Sequence, residues 1–133
     1  MDEILKFLEE AKYFFFATCE DGQPRVRPFA FFMEYEGMLY LGMGDYKLCF
    51  RQIKANPKFE LCAYSEAKGV WLRLSGTAVC DERPEVNEAA FAKVQFLRDK
   101  YTKPDGPRHA AFRVMDGIAV FQDFSENTWS VTF

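Results

Sequence analysis

The sequence has little of several features that mark common classes of protein. Its 133 residues carry 17 Lys and Arg against 20 Asp and Glu, a net charge of −3, so it offers no basic excess for gripping a nucleic-acid backbone. No apolar run approaches the roughly 18 residues of a membrane span. The acidic start, Met1–Glu3, is unlike the basic start of a signal peptide. We therefore expect a cytoplasmic protein with neither a nucleic-acid nor a membrane partner.

Metal-binding and nucleophilic residues are also scarce. The four cysteines, Cys19, Cys49, Cys62 and Cys80, form no C-x-x-C pair, and the only histidine, His109, lies in a segment with Pro and Gly that predicts a loop. A zinc site is therefore not expected. No G-x-S-x-G motif is present to form a nucleophile elbow. We predict no metal ligand and no catalytic side chain from these residues.

Aromatic residues, in contrast, are abundant. The chain contains 15 Phe, 6 Tyr and 2 Trp, or 17% of its residues. Aromatic side chains bury large areas and suit the pleated surface of a sheet. This content favours a β-rich core, a large interface and a flat ring ligand.

The order of apolar and polar residues predicts one domain, residues 1–133, that is mainly β with peripheral helices. A first helix covers residues 2–12, and Pro84 begins a second long helix that reaches about Tyr101. Pro28 predicts an edge position or a bulge, and Asp116-Gly117 predicts a turn between two strands. Six or seven largely antiparallel strands with helices outside favour a small β-barrel over a doubly wound sheet.

A candidate phosphate site lies at the start of a short predicted helix that ends at Asn56-Pro57. Gly42 and Gly44 lack the third glycine of a dinucleotide-binding motif, because position 47 is Lys. Lys47 instead lies where a short helix begins, and unpaired N–H groups at a helix start attract anions. A solvated surface lysine is the alternative.

Two arginines lie on the strand before it. Arg25 and Arg27 flank Val26, so their side chains project to the same side of the strand. Two like charges on one face repel each other unless an anion lies beside them. Arg25 fits either a solvent-exposed strand edge or a ligand contact, whereas the position of Arg27 before Pro28 favours a ligand role.

One later strand carries a polar and aromatic face. Trp71, Arg73, Ser75 and Thr77 alternate with the apolar residues of the predicted core. This face must meet water, a ligand or a second subunit.

Four segments together resemble the FMN-binding split-barrel family, which includes pyridoxamine 5′-phosphate oxidases and nitroimidazole-reductase-like proteins. The resemblance is closest to the short nitroimidazole-reductase-like members and covers most of the chain. The segments that carry it, in order, are residues 16–29, 37–47, 52–57 and 71–76.

The resemblance implies a dimeric split β-barrel of antiparallel, Greek-key strands that binds FMN at the subunit interface. It implies that Arg27 and Lys47 hold the FMN phosphate, with Arg25 as a helper. The backbone at Pro28 and Phe29 would then line the flavin ring.

Further cofactor contacts follow from the same resemblance. Met43 and Gly44 would cover part of the cofactor, and Gln52 would reach it from the short helix. Trp71 and Arg73 would lie near the other subunit's flavin or its substrate pocket. Trp129 would close the pocket.

The function implied is FMN-dependent electron transfer from a reduced nicotinamide to a small flat acceptor, such as a nitroaromatic or a quinone. Alternatives are a flavin-binding sensor or electron carrier without turnover, or the same barrel with haem or a deazaflavin, His109 being the only histidine for haem. The turn Gly44-Asp45-Tyr46 lacks the Ser or Thr of many relatives. The chain also lacks the basic substrate-binding residues of true pyridoxamine phosphate oxidases, so that activity is not expected.

Overall fold

The computed structural model describes all 133 residues, which form one antiparallel sheet with helices along its margins. The helices are α1 (Asp2–Ala11), α2 (Leu48–Ala55), α3 (Pro84–Lys93) and α4 (Gln95–Tyr101). The strands are β1 (Phe14–Glu20), β2 (Gln23–Phe29), β3 (Phe32–Tyr35), β4 (Met38–Gly44), β5 (Lys58–Ser65), β6 (Val70–Asp81), β7 (His109–Asp123) and β8 (Thr128–Thr132).

The strands follow the order β2-β1-β5-β6-β7-β4-β3, and β8 pairs with β7. Every pairing is antiparallel. The mainly-β class with peripheral helices is thereby confirmed. Strand β2, which contains Pro28, lies at one edge, where a residue without an N–H donor costs no ladder hydrogen bond.

Strand β7 corrects one prediction. The turn expected at Asp116-Gly117 does not form, and residues 109–123 make a single long strand. Asp116 has a φ of 53°, and the pairing with β6 shifts register between Ser75 and Thr77. The two residues therefore form a bulge, because β6 continues to pair with β7 on both sides of them and β8 pairs with the residues that follow.

The helix predicted from Pro84 to Tyr101 is also interrupted. Val94 has an extended backbone, with φ −133° and ψ 103°, and separates α3 from α4. The apolar stripe of the sequence continues through this break because both helices pack on the same side of the sheet, where Val86, Ala90 and Tyr101 are buried.

The core lies between the helices and the inner face of the sheet. Phe16 of β1 stacks on Phe29 at 5.1 Å and on Phe59 at 5.2 Å between ring centroids. Alternate residues of β1 and β5 point inward, as the burial of Phe14, Phe16, Phe59 and Leu61 shows. No helix of the structure is both long and apolar enough to cross a membrane.

Candidate functional site

A cleft of about 650 Å³ lies between the edge strand β2 and the start of α2. Strand β2 contributes both arginines because residues two apart on a strand share a face. Helix α2 contributes its first turn and one buried amide. The cleft is lined by Glu20, Arg25, Val26, Arg27, Pro28, Phe29, Lys47, Leu48, Cys49 and Gln52.

Arg27 is held in place by four acceptors, of which the Arg25 carbonyl, 3.4 Å from Nη1, is the most distant. Its Nη1 donates to Thr18 Oγ1 at 2.9 Å and to the Phe16 carbonyl at 3.2 Å, and its Nη2 donates to Gln52 Oε1 at 2.6 Å. Thr18 Oγ1 also donates to Gln52 Oε1, at 2.6 Å. These bonds fix the guanidinium without neutralising it, since none of the partners is charged.

Gln52 links the arginine to the rest of the cleft. The side chain is buried, with 5% of its surface exposed, and its Nε2 donates to Glu20 Oε2 at 3.1 Å. Glu20 Oε1 lies 3.9 Å from Arg25 Nη2, whose side chain remains half exposed. Arg27 is therefore the more tightly bonded arginine of the pair, and Arg25 is the more exposed one.

Lys47 stands at the N-terminus of α2. It is the N-cap residue, and no side chain caps the helix. Lys47 Nζ lies 5.7 Å from the centre of the Phe29 ring and forms no ion pair. The helix start therefore presents backbone N–H groups and an ammonium to the same space.

Cys49 is buried in the wall of the cleft. Burial raises the pKa of its thiol, and the charges of Arg27 and Lys47 oppose that rise only in part. Cys49 is therefore a neutral thiol that packs against its neighbours.

A second, smaller pocket of about 210 Å³ adjoins the cleft and shares Pro28, Phe29 and Lys47 with it. Met43 and Gly44, at the end of β4, form part of its wall. The sequence-predicted residues Arg25, Arg27, Pro28, Phe29, Met43, Gly44, Lys47 and Gln52 thus line one cavity or the other.

His109 is the residue that the sequence placed wrongly. It begins β7 opposite Gly44 and is buried, with 5% exposure, rather than lying in a loop. Asn87 Nδ2 donates to the His109 carbonyl at 3.1 Å, so Asn87 Oδ1, 3.0 Å from His109 Nδ1, accepts the ring proton. Nε2 is then an acceptor, and no group bonds to it. Burial lowers the pKa of His109 to about 4, so the ring is neutral.

Two sequence-predicted residues lie outside both cavities of their own chain. Arg73 Nη2 pairs with Glu60 Oε1 at 3.3 Å, and the Trp71 ring packs 5.0 Å from that of Phe124. Both side chains stand on the outer face of the sheet. Their predicted position near a flavin therefore requires a second copy of the chain.

Trp129 is also outside the cavities. Its ring stacks on Phe121 at 5.4 Å, and its Nε1 donates to Glu3 Oε1 at 2.8 Å. These two contacts anchor the Trp129 side chain against α1, so Trp129 closes neither cavity of its own chain.

Sequence reasoning missed Thr18, Glu20 and Asn87. Thr18 had a usable signal, because it continues the inward-facing alternation of Phe14 and Phe16 and is a polar residue that needs a buried partner. Glu20 and Asn87 had none, since their partners lie 32 and 22 residues away.

A family model described as pyridoxamine 5′-phosphate oxidase matches residues 1–117. The chain belongs to the pyridoxamine 5′-phosphate oxidase family. No curated protein matches the chain significantly.

Several solved structures share the fold of this chain. A NimC/NimA family protein from Clostridium acetobutylicum is 40% identical, with a TM-score of 0.88 over 98% of this chain and 93% of that one. A pyridoxamine 5′-phosphate oxidase-related, FMN-binding protein from Nostoc punctiforme is 15% identical (TM-score 0.62; 99% and 95% covered). The haem storage protein HutZ from Vibrio cholerae is also 15% identical (TM-score 0.65; 98% and 93% covered). The two distant structures share the fold alone, and the split barrel expected of the family is confirmed.

Proposed function

We propose that the protein is an FMN-dependent oxidoreductase that passes electrons from a reduced nicotinamide to a small flat acceptor, such as a nitroaromatic or a quinone. The observation that carries this proposal is the cleft itself, in which a fixed arginine, a free lysine and a helix start converge beside Phe29.

The donors of the cleft fit a phosphate dianion. Arg27 Nη groups, Lys47 Nζ and the first N–H groups of α2 all face the same space, and an ordered guanidinium loses little entropy when it binds. Glu20 is the only carboxylate of the cleft wall, and it is engaged by Gln52. We assign the phosphate to Arg27, Lys47 and the α2 start, with Arg25 as a solvent-side helper.

The residues beyond the phosphate site fit a flat ring. Pro28 and Phe29 line both cavities, and Met43 and Gly44 line the smaller one. These residues orient the ring and exclude water, while Gln52 holds Arg27. Bound FMN would supply the redox chemistry, taking a hydride from the nicotinamide and returning electrons to the acceptor.

The outer face of the sheet supports a homodimer with the cofactor at the subunit interface. Its exposed apolar side chains lie on neighbouring strands rather than being scattered, and such a face marks an interaction surface. A second copy would bring Trp71 and Arg73 towards the first copy's flavin, whereas Trp129 lies on the other face of the sheet, packed on Phe121 and bonded to Glu3. The exposed apolar residues of the outer face are Phe15, Val26, Tyr64 and Ile118. Light scattering should give a particle of twice 15.5 kDa, and a monomer at micromolar concentration would contradict the dimer.

A haem-binding function is the less favoured alternative. His109 is the only histidine, its Nδ1 is bonded to Asn87, and its ring is enclosed by Phe31, Phe91 and Tyr101. The absorption spectrum of the purified protein distinguishes flavin, deazaflavin and haem directly.

Two measurements test the proposal. Calorimetry should show tighter binding of FMN than of riboflavin, and equal affinities would remove the phosphate role from Arg27 and Lys47. Anaerobic mixing with NADH or NADPH should bleach the bound flavin, and a nitroaromatic or quinone should restore its colour. A flavin that is bound but never reduced would support a sensor or electron carrier without turnover.

A further inference from the structure

Two exposed aromatic side chains lie at the outer margin of the small pocket that the proposed function gives to the flavin ring. Phe96 of α4 and Tyr46, in the turn before α2, are 66% and 56% exposed. Single exposed apolar residues are normal on a protein surface. These two differ because one ammonium approaches both rings: Lys100 Nζ lies 6.0 Å from the centre of the Phe96 ring and 5.2 Å from that of Tyr46. Tyr46, Phe96 and Lys100 together form an aromatic rim.

The rim is built on α4 and on the turn that follows β4. Phe96 and Lys100 are four residues apart on α4 and therefore share one face of the helix. The Tyr46 ring packs over Gly44, where an added Cβ atom would lie 2.5 Å from Tyr46 Cε1. Phe96, Lys100 and Gly44 all line the flavin-ring pocket. The rim therefore begins where that pocket meets solvent.

The rim carries a positive charge that no acid of the chain neutralises. Lys100 Nζ donates to Tyr46 Oη at 2.8 Å and forms no ion pair. The acid that precedes it in the sequence, Asp99, accepts a hydrogen bond from Gln95 Nε2 at 3.1 Å. The ammonium is therefore free to attract an anionic group.

A second cation lies on the same margin of the molecule. The Arg108 guanidinium donates to the carbonyls of Lys103 and Pro104, at 2.7 and 3.0 Å, so its charge is also left without an acid partner. The nearby carboxylate is that of Asp45, the residue before Tyr46, and it accepts the backbone N–H of Arg108 at 3.1 Å. The surroundings of the rim thus favour a ligand with negative charge.

An exposed ring beside an unpaired ammonium suits a ligand that joins a flat base to a phosphate group. The base stacks on the ring, and the ammonium attracts the phosphate. The FMN phosphate is already assigned to Arg27, Lys47 and the start of α2. Of the two substrates in the proposed reaction, the acceptor is a small flat molecule, whereas the reduced nicotinamide donor carries adenine and a diphosphate. The donor is therefore the substrate that matches the rim.

We propose that the aromatic rim binds the ADP portion of the nicotinamide dinucleotide donor, with the adenine stacked on Phe96 and the diphosphate beside Lys100. The identity of the donor rests on the proposed function. The small pocket itself stays with the flavin ring, because the exposed face of Phe96 lies outside it. Since the rim borders that pocket, a donor held there has its nicotinamide end on the side of the flavin.

The first test is calorimetry with ADP-ribose, which has the ADP portion of the donor and no nicotinamide. The full-length protein is saturated with FMN, so that the cleft around Arg27 is occupied. Phe96→Leu should weaken ADP-ribose binding roughly ten-fold, because the stacking surface is lost. Lys100→Met should weaken it about three- to ten-fold at low salt and less at high salt. Tyr13→Leu is the matched control, because it removes an equally exposed aromatic ring elsewhere, and it should bind ADP-ribose as the wild-type protein does.

The second test compares two reductants of the bound FMN under anaerobic conditions. One is NADH or NADPH, and the other is 1-benzyl-1,4-dihydronicotinamide, which carries the same reducing ring without the ADP portion. The ratio of kcat/KM for the dinucleotide to that for the analogue should fall roughly ten-fold in Phe96→Leu. It should stay constant in Tyr13→Leu. An equal loss for both reductants would place the effect of Phe96→Leu at the flavin and would overturn the inference.

The results also separate this inference from the proposed function. If the dinucleotide reduces the flavin but ADP-ribose binding is the same in Phe96→Leu, Lys100→Met and the wild-type protein, the rim is rejected and the proposed function stands. If bound FMN is never reduced but ADP-ribose binding weakens in both variants, the electron transfer is rejected and the nucleotide site stands. If FMN does not bind, the titration is repeated on the cofactor-free proteins, where an unchanged affinity in both variants rejects the rim.

Discussion

The cleft and the His109 pocket share a wall, yet the cleft holds a charged side chain and the pocket a neutral one. In the cleft, Arg27 is bonded by neutral partners from β1 and α2, and its positive charge is left free. In the pocket, His109 is neutral, shielded by aromatic rings, and one ring nitrogen is left without a partner. The difference shows how two adjoining cavities can hold a charged group and a neutral one.

The physical reason lies in the surroundings of each group. Arg27 keeps water on one side, so its charge has a small desolvation cost and is free to bind an anionic group such as a phosphate. His109 lies among Phe31, Phe91 and Tyr101, where a charged imidazolium would lose its hydration without gaining a counter-ion. Each of the following changes strengthens or removes one side of this contrast.

Acidification should produce the largest effect, through His109. Burial lowers the pKa of the folded state to about 4 from an ordinary value of 6.5, so the unfolded chain binds the proton first. Above pH 6.5 His109 is neutral in both states and does not affect the free energy of unfolding. As the pH falls below 6.5, protonation of the unfolded chain lowers the free energy of unfolding, by about 3 kcal/mol at pH 4. Denaturant unfolding of the cofactor-free protein at several pH values measures it. His109→Phe should lose less stability over the same range, and parallel curves for the two proteins would show that His109 is not the cause.

Removal of the ordered arginine should be the next largest change. Arg27→Ala deletes a charge-assisted contact of about 1.5–3 kcal/mol, which weakens FMN binding roughly ten- to a hundred-fold. Thr18→Val is the matched control for positioning, because it removes an acceptor of Arg27 and keeps the charge. It should weaken FMN binding less than Arg27→Ala does. The affinity for riboflavin should change little in either variant. If Arg27→Ala weakens riboflavin binding as much as FMN binding, Arg27 does not contact the phosphate.

Filling the space beside His109 tests how tightly the pocket is packed. Gly42→Ala would place a Cβ atom 2.4 Å from Nε2, and overpacking of this kind costs about 1–3 kcal/mol of unfolding free energy. In a His109→Ala background the same substitution should cost much less, because the ring is gone. If Gly42→Ala lowers the free energy of unfolding as much in the His109→Ala background, the clash is with Phe31 and not with His109.

The smallest effect is expected at the exposed arginine. Arg25 is half exposed and lies 3.9 Å from Glu20, so Arg25→Ala should change FMN affinity by less than about 1 kcal/mol. The loss of FMN affinity caused by Arg25→Ala should shrink more with added salt than the loss caused by Arg27→Ala, because exposed charges are screened more. A larger loss for Arg25 than for Arg27 would reverse the roles of the two residues.

Much of the fold was predictable from local patterns. The alternation of β1 and β5, the edge position of Pro28 and the helix that begins at Pro84 all follow from rules that act over a few residues. The bulge at Asp116-Gly117 was not predictable. Its sequence favours a hairpin, and only the pairing of β7 with β6 on both sides of the bulge, and with β8 after it, keeps the strand extended.

The candidate site divides in the same way. The sequence alone determined that Arg25 and Arg27 share a face and that Lys47 begins a helix, because strand and helix geometry dictate both. Only the tertiary structure decided that Thr18 and Gln52, 34 residues apart, hold the arginine. It also decided that His109 is buried at the start of a strand, and that Trp71 packs on Phe124, outside both cavities of its own chain. Those outcomes depend on which strands pair and on what covers them, and no local pattern contains that information.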